Sequence, residues 1–317
     1  MPDNFGQRLV SVIMNCLNCQ KYLREAIDSV YSQTYQNWEI IFWDNASTDK
    51  SGEISRSYGE KVRYFRELET ITLFAARNKA LQKARGEYIA FLDCDDVWLP
   101  RKLEKQIPLF IDSQVGIVFC DVIYFNDKGE SEILYSRRKY RTGHCFSSLL
   151  SDFFLSQPAI IIRRSALNDL TEWYDPRLPC SGDADLFLRI AYKWHLAMVN
   201  EPLAKWRLHA ANLTSKRGYL VPEEFDLMLA KYLKLYPNFT SRYNREIRCL
   251  KILGATARAR YFWEQGESHQ ARNALVSYIF SSTRALIYYL MTFFPRRLAK
   301  AFINRLRAIR IDPATDQ

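Results

Sequence analysis

The first hundred residues alternate between short apolar runs and longer stretches with helical spacing. Leu9–Met14 (L-V-S-V-I-M) is rich in β-branched residues and predicts a strand. Lys21–Thr34 sets Leu23, Ile27, Val30 and Tyr31 on one helical face. Trp38–Trp43 predicts a second strand and Lys50–Tyr58 a second helix, capped by Asp49. Val62–Phe65 follows as a short third strand. Leu73–Arg85 reads as a third helix, with Gly86 placed to close it as a C-terminal glycine. Ile89–Leu92 is apolar and too short for an ordinary helix, so it predicts a fourth, buried strand. Strand and helix in alternation imply a parallel sheet with helices on its faces.

Beyond Arg101 the alternation weakens. The pattern predicts a helix over Lys102–Asp112, a strand at Gly116–Cys120 and a turn at Asn126–Gly129. A second apolar strand at Pro158–Ile162 leads into a helix opened by Arg163-Arg164-Ser165. Ala184–Trp194 is a further helix and Leu196–Val199 an edge strand. After Gly218 the periodicity is helical throughout. Glu223–Leu235 and Arg242–Phe262 are long helices, and Gly266 separates the second from Ser268–Ser281 in an αα-hairpin similar to a single tetratricopeptide unit. Two domains are therefore expected, 1–217 and 218–317.

In open α/β sheets ligands bind outside the carboxyl ends of the strands. Asn15–Asn18, Asp44–Asp49 and Asp93–Asp96 all fall there. The fourth strand runs into Y-I-A-F-L-D-C-D-D-V-W-L-P, Tyr88–Pro100, which crowds Asp93, Asp95 and Asp96 at the end of an apolar run. Carboxylates packed so closely repel one another and need a cation or donors to stay ionised. Hard oxygen ligands suit Mg²⁺ or Mn²⁺, which commonly bridge carboxylates to substrate phosphates. A solvated acidic turn is the plain alternative. Asp183 and Asp185 open a predicted helix, where acids are favoured by the dipole alone. His209, one of four histidines, lies beside Trp206 and Arg207, a setting in which packing competes with ligation.

The 317 residues, 48% hydrophobic and 25% charged, suit one large or two ordinary globular domains. Met1–Arg8 is polar, so no cleavable signal peptide is expected. The seven cysteines are scattered. Only Cys16 and Cys19 have a metal-like or redox-like spacing, with no second pair to complete four ligands, which favours reduced thiols in the cytoplasm. The net charge of +10 is concentrated at the C-terminus: Ser241–Gln317 holds 14 Lys and Arg against 5 Asp and Glu, a net of +9. Within it, Ala285–Arg310 is interrupted by Pro295 and too short in apolar residues to span a bilayer. Its aromatic start and basic amphipathic end (Leu298, Phe302, Ile303, Leu306, Ile309) fit peripheral contact with an anionic membrane better than nucleic acid.

Taken in order, Leu9–Asn18, Trp38–Asp49, Ala75–Asn78, Gly86–Pro100, Arg163–Ser165, Gly182–Arg189 and Trp206–His209 resemble a family 2, inverting glycosyltransferase of the GT-A fold. The likeness covers roughly residues 8–215. It implies a Rossmann-like mixed sheet flanked by helices, with an α-helical C-terminal extension. It also implies a nucleotide-sugar donor, usually a UDP-sugar, a Mn²⁺ or Mg²⁺ ion, and a glycan or lipid-linked acceptor in surface polysaccharide synthesis. By resemblance, Asp44 meets the base, Arg77 the nucleotide, and Cys16 and Asn18 line the donor turn. Asp95 ligates the metal, Asp93 assists near the ribose, His209 assists the metal or diphosphate, and Asp183 is the general base. Two positions depart from the family pattern. Leu17 stands where a base-stacking tyrosine is usual, and Gly182 replaces the acid that normally precedes Asp183.

Two other readings remain at this point. A phosphatase of the haloacid-dehalogenase type also carries D-x-D after a strand, but Asp96-Val97 does not match the residues it expects there. A membrane-associated glycan-binding or scaffold protein would make Gly182 a sign of decay.

Overall fold

The computed structural model describes residues 8–133, 140–209 and 218–294. Chain contacts divide it into two units, one of Met1–Leu149 and Phe153–Asn212 and the other of Leu150–Asp152 and Leu213–Gln317.

In the first unit the alternating pattern becomes strands β1 (Val10–Cys16), β2 (Trp38–Asp44), β3 (Val62–Arg66) and β4 (Tyr88–Phe91). Between them lie helices α1 (Leu23–Tyr31), α2 (Ser51–Arg56) and α3 (Leu73–Lys83). These four strands pair in parallel in the order β3-β2-β1-β4. β1, β2 and β4 are buried almost throughout, as strands covered by helices on both faces must be. Asp49 does serve the start of α2: its Oδ1 accepts from the Ser51 amide at 2.9 Å.

The remaining strands are β5 (Val97–Trp98), β6 (Val115–Asn126), β7 (Gly129–Ile133), β8 (Ile161–Arg163) and β9 (His195–Arg207). The full order is β3-β2-β1-β4-β8-β6-β9-β5, with β7 on β6. β8 is antiparallel to both β4 and β6, and β9 is parallel to β6. Two reversals cancel, so β6 and β9 run in the same direction as β4. The ends of β1, β2, β4 and β9 therefore face one rim, which brings Asp93–Asp96 and His209 to the same side from opposite halves of the sheet.

Three local expectations are corrected. Gly86 is no left-handed cap: α3 ends at Lys83, and Ala84 turns extended. The glycine is required because an added Cβ would lie 2.6 Å from both Leu9 O and Ser11 N, where the chain passes against β1. The helix over Lys102–Asp112 is split into α4 (Lys102–Gln106) and a 3₁₀ turn (Ile107–Ile111), because Pro108 lacks the amide that an α-helix needs there. The edge strand at Leu196–Val199 extends to Arg207. Pairing with β6 carries it through Pro202, with register shifts beside Asp121 absorbing the irregularity.

The helical unit contains Val221–Leu235, Asn244–Gln265, Ser268–Leu275 and Thr283–Met291. Gly266 has φ +99°, so it is the left-handed residue that ends the long helix and sets up the hairpin. Trp263, Ala271, Leu275, Ala285 and Met291 form its core. No helix among the described residues is long and apolar enough to cross a membrane. The basic stretch from Pro295 onward lies outside the described residues.

One buried group works against the stability of the first unit. Lys102 is fully buried and its Nζ has no hydrogen-bond partner among the described residues, only the Trp98 ring 4.3 Å away. Burial lowers its pKa to about 8. The unfolded side chain titrates near 10.4. Between these values the unfolded chain holds a proton that the folded chain lacks, so stability from this group rises with pH and is least below about pH 8. Lys102→Met should raise Tm by about 2–4 °C for each kcal/mol of relieved burial cost. Calorimetry at a series of alkaline pH values should show the wild-type rise flattened in the variant.

Candidate active site

The acidic loop after β4 is gripped from two sides by buried arginines. From α3, Arg77 donates through Nη2 to Asp93 Oδ1 at 2.5 Å and through Nη1 to Gln157 at 3.0 Å. Its guanidinium also lies over the Phe74 and Tyr174 rings, at 5.2 and 5.8 Å. From the end of β9, the Arg207 amide donates to Asp96 Oδ1 at 2.9 Å and its Nε to the Asp95 carbonyl at 2.8 Å. Arg207 is itself held between the Tyr22 and Phe125 rings, each 4.2 Å away, and donates to Glu25. Burial raises the Asp96 pKa well above the usual range, and the neighbouring acids add to it. Asp96 therefore shapes the loop from beneath.

Asp95 meets an imidazole instead of an arginine side chain. Its Oδ2 sits 2.8 Å from His209 Nε2, and the His209 ring packs on Tyr22 at 5.5 Å. Burial and Asp93 push the Asp95 pKa up, while His209 pulls it down. The three residues expected to share a metal are thus divided. Asp95 and His209 form a pair, and Asp93 is engaged by Arg77. Among the described residues these three do not bring their ligand atoms within 4.8 Å of one another. The donor set of a carboxylate and an imidazole, at a loop crowded with negative charge, still fits a hard divalent cation that takes its other ligands from a diphosphate and water.

At the ends of β1 and β2 the loops are tied together. Asn18, at φ +57°, accepts through Oδ1 from the Thr48 amide at 2.8 Å, and its own amide donates to Ser47 Oγ at 3.0 Å. Asp44 is completely buried. Its Oδ1 accepts from the Ser47 amide at 2.7 Å, and its Oδ2 from Tyr64 at 2.6 Å and Arg66 at 3.0 Å. Leu17 is 46% exposed, an apolar side chain presented where the family offers a tyrosine. The Cys16 thiol lies beneath that turn. Hydrogen bonds from Cys19 and Cys94 lower its pKa, and those two thiols are raised in turn.

Asp183 occupies the first turn of the helix Gly182–Ala191, where the dipole favours an ionised carboxylate. Its Oδ1 accepts from the Ala184 amide at 2.8 Å, and Oδ2 has no hydrogen-bond partner among the described residues. Burial raises its pKa and the nearby Arg77 opposes that, with Asp93 adding a smaller upward push. Asp183 therefore lies within electrostatic reach of Arg77 and Asp93. Asp185 is a structural acid: it is fully buried and bonds Arg189 at 2.9 Å, which also donates to the Glu172 and Trp173 carbonyls.

Several site residues escaped the sequence pattern. Tyr174 stacks on Phe74 at 4.9 Å, is held by Asn78 through two backbone bonds, and carries a buried hydroxyl with no partner among the described residues. The Asn15 carboxamide is likewise buried and unpartnered at the end of β1. Gln157 braces Arg77 from a 3₁₀ turn 80 residues away. No local spacing marks such residues; only the polar Asn15 at a strand end was visible as a signal.

Phe74 explains the missing acid. A Cβ on Gly182 would lie 2.6 Å from Phe74 Cδ2 and 2.9 Å from its Cγ, so the aromatic ring fills the space that a side chain at 182 would take. Glycine here is packing, with the neighbouring carboxylate intact.

The glycosyl transferase family 2 profile matches residues 11–171. An uncharacterized glycosyltransferase of Rickettsia typhi is 31% identical over 244 residues, covering 74% of each chain. The Escherichia coli enzyme WfgD, a UDP-Glc:alpha-D-GlcNAc-diphosphoundecaprenol beta-1,3-glucosyltransferase, is 25% identical over 69% of this chain and 85% of its own. Among solved structures, Staphylococcus aureus TarS 1-349 in complex with UDP-GlcNAc matches with a TM-score of 0.63 at 20% identity, over 92% of this chain and 87% of that one. The mixed sheet, its acidic rim and these matches define a GT-A nucleotide-sugar transferase fold. The chain belongs to glycosyltransferase family 2 and is a glycosyltransferase.

If Phe74 excludes a side chain at 182, Gly182→Ala should cost about 1–3 kcal/mol as overpacking. Phe74→Leu in the same chain should recover much of that loss. Urea unfolding of the two single variants and the double variant measures the coupling; additive losses would remove the explanation.

Proposed function

We propose that the protein transfers a sugar from a nucleotide donor, a UDP-sugar by preference, to a glycan or lipid-linked acceptor with inversion at the anomeric carbon. The observation that carries this reading is the setting of Asp183: a half-buried carboxylate with one uncommitted oxygen, near enough to Arg77 and Asp93 to feel both charges. UDP-Glc in the name of WfgD and UDP-GlcNAc with TarS favour uridine donors, and the diphosphoundecaprenol in the former favours a lipid-linked acceptor. Both fit a role in surface polysaccharide synthesis.

Asp95 and His209 would hold a Mn²⁺ or Mg²⁺ ion, with Asp93 available once Arg77 turns to the donor, and the ion would supply Lewis-acid stabilisation of diphosphate charge. The chain's own groups do the remaining work. Arg77 is buried, always charged and already aimed at the rim, so it suits an anionic or ribose-bearing ligand there. Asp44 binds the base at Oδ2 if Arg66, whose side chain is 48% exposed, swings aside. Leu17 packs on the base, and the turn of Cys16 and Asn18 sets its height. Asp183 Oδ2 accepts the proton of the acceptor hydroxyl as it attacks, an assistance typically worth ~10²–10⁴ in rate. One base on the face away from the leaving group gives a single displacement.

Peripheral contact with an anionic cytoplasmic membrane face completes the reading. It is supported by Phe280, Phe293 and Phe294, which are 99%, 60% and 60% exposed in the helical unit just before the basic stretch.

Asp183→Asn should reduce kcat by about 10²–10⁴ with little change in donor affinity. Because a base must be ionised, and this carboxyl is raised by burial, wild-type kcat/KM should fall as pH drops through a value above the ordinary ~3.9 of Asp. The acidic limb should be absent from the residual activity of the variant. Asp95→Ala should lose the Mn²⁺-dependent part of UDP binding, read by titration calorimetry. Normal turnover in the first variant, or unchanged Mn²⁺ dependence in the second, would remove the respective assignment.

A further inference from the structure

The fold completes a thiol cluster that the sequence leaves at two members. Cys16 ends β1, Cys19 lies in the turn that leads to α1, and Cys94 stands between Asp93 and Asp95. Their three sulfurs lie within 4.8 Å of one another, and they are the only such convergence of His, Cys, Asp or Glu ligand atoms among the described residues. Cys16 and Cys94 are 1% and 2% exposed, while Cys19 is partly exposed and offers an entry path.

Beyond the hydrogen bonds they make with one another, the thiols have only long contacts to neighbouring oxygens. Cys94 Sγ reaches the Asn15 carbonyl at 3.3 Å, Cys19 Sγ reaches the Leu17 carbonyl at 3.6 Å, and Cys16 Sγ lies 3.7 Å from Ser47 Oγ. Three buried cysteines spread through a core would behave as small apolar side chains. Three that meet at one point, from two segments about 80 residues apart, form a ligand set. A disulfide would use two and strand the third, whereas a cation uses all three.

We propose that Cys16, Cys19 and Cys94 form a three-thiolate site for a thiophilic d¹⁰ cation, Zn²⁺ in class. Zinc takes sulfur at about 2.3 Å, which in tetrahedral geometry sets sulfurs roughly 3.7–3.8 Å apart. Sulfurs that already lie within 4.8 Å need close by no more than about 1 Å to meet that spacing. The fourth position falls to water or a nearby serine: Ser51 Oγ is close enough to accept from the Cys19 amide at 3.0 Å. Binding deprotonates the thiols and releases protons to solvent, one for each thiol that gives up its hydrogen. Three thiolates select a thiophilic cation, whereas the Asp95 carboxylate with phosphate and water oxygens suits a harder one. A cation in the thiolate site staples the turn after β1 to the loop that carries Asp93 and Asp95, and so stiffens the rim from below.

The test titrates Cd²⁺, as a spectroscopic stand-in for Zn²⁺, into the reduced full-length protein with Mn²⁺ present throughout. One equivalent should bring up sulfur-to-cadmium charge-transfer absorbance of three-thiolate intensity. Cys94→Ser and Cys19→Ser should each lose most of it, while Cys249→Ser and Asp95→Ala should keep it. A full-intensity band in Cys94→Ser, or none in the wild type, overturns the proposal. Should the cysteine variants fail to fold, alkylation of the wild type decides. Zn²⁺ at about 100 times its dissociation constant should slow Cys19 labelling by roughly 100-fold, read by peptide mass spectrometry. An unchanged labelling rate would sink the site.

Discussion

Three carboxylates at the end of one buried strand are the constraint around which this molecule is built. β4 delivers Asp93, Asp95 and Asp96 into one loop, where burial and the neighbouring acids disfavour charge on Asp95 and Asp96. Arg77 and Arg207 approach from opposite halves of the sheet and divide the loop between them. Arg207 takes the backbone and the deepest acid, Arg77 takes the shallowest, and Asp95 is left to pair with His209. The paired reversals around β8, which return β6 and β9 to the direction of β4, bring Arg207 and His209 to the right end.

The same loop is coupled through Arg77 to the helix that carries Asp183. Arg77 touches Asp93 and lies close enough to Asp183 to lower its pKa against burial. It rests on Phe74 and Tyr174, and Phe74 in turn excludes any side chain at 182. The departure from the family acid pair is therefore part of one packed unit: aromatic ring, glycine, arginine and the remaining carboxylate. Gly182 signals repacking, and Asp183 keeps its helix N-terminal position and its open oxygen.

Much of the sheet was legible because parallel strands buried on both faces leave unbroken apolar runs, as in Trp38–Asp44 and Tyr88–Phe91. Their polar ends then mark the rim. Reading failed where a residue had two physical meanings. Gly86 could have been a left-handed cap, but serves close approach to Leu9 and Ser11. The strand expected over Leu196–Val199 runs on instead, because pairing with β6 carries β9 past Pro202 to Arg207. Only the family resemblance separated Asp93 from Asp95, since neighbouring acids look alike in a local pattern until their partners are known.

By itself the sequence determined the alternating half of the sheet, the acidic turn, the helix that opens at Asp183 and the helical character of the C-terminal region. All of these follow from short-range periodicity and from residue types at element ends. Tertiary structure alone decided which acid meets Arg77 and which His209, why position 182 is bare, and that Cys94 joins Cys16 and Cys19. Those outcomes depend on contacts between residues 75 to over 110 positions apart, set by strand order and register, which no local pattern encodes.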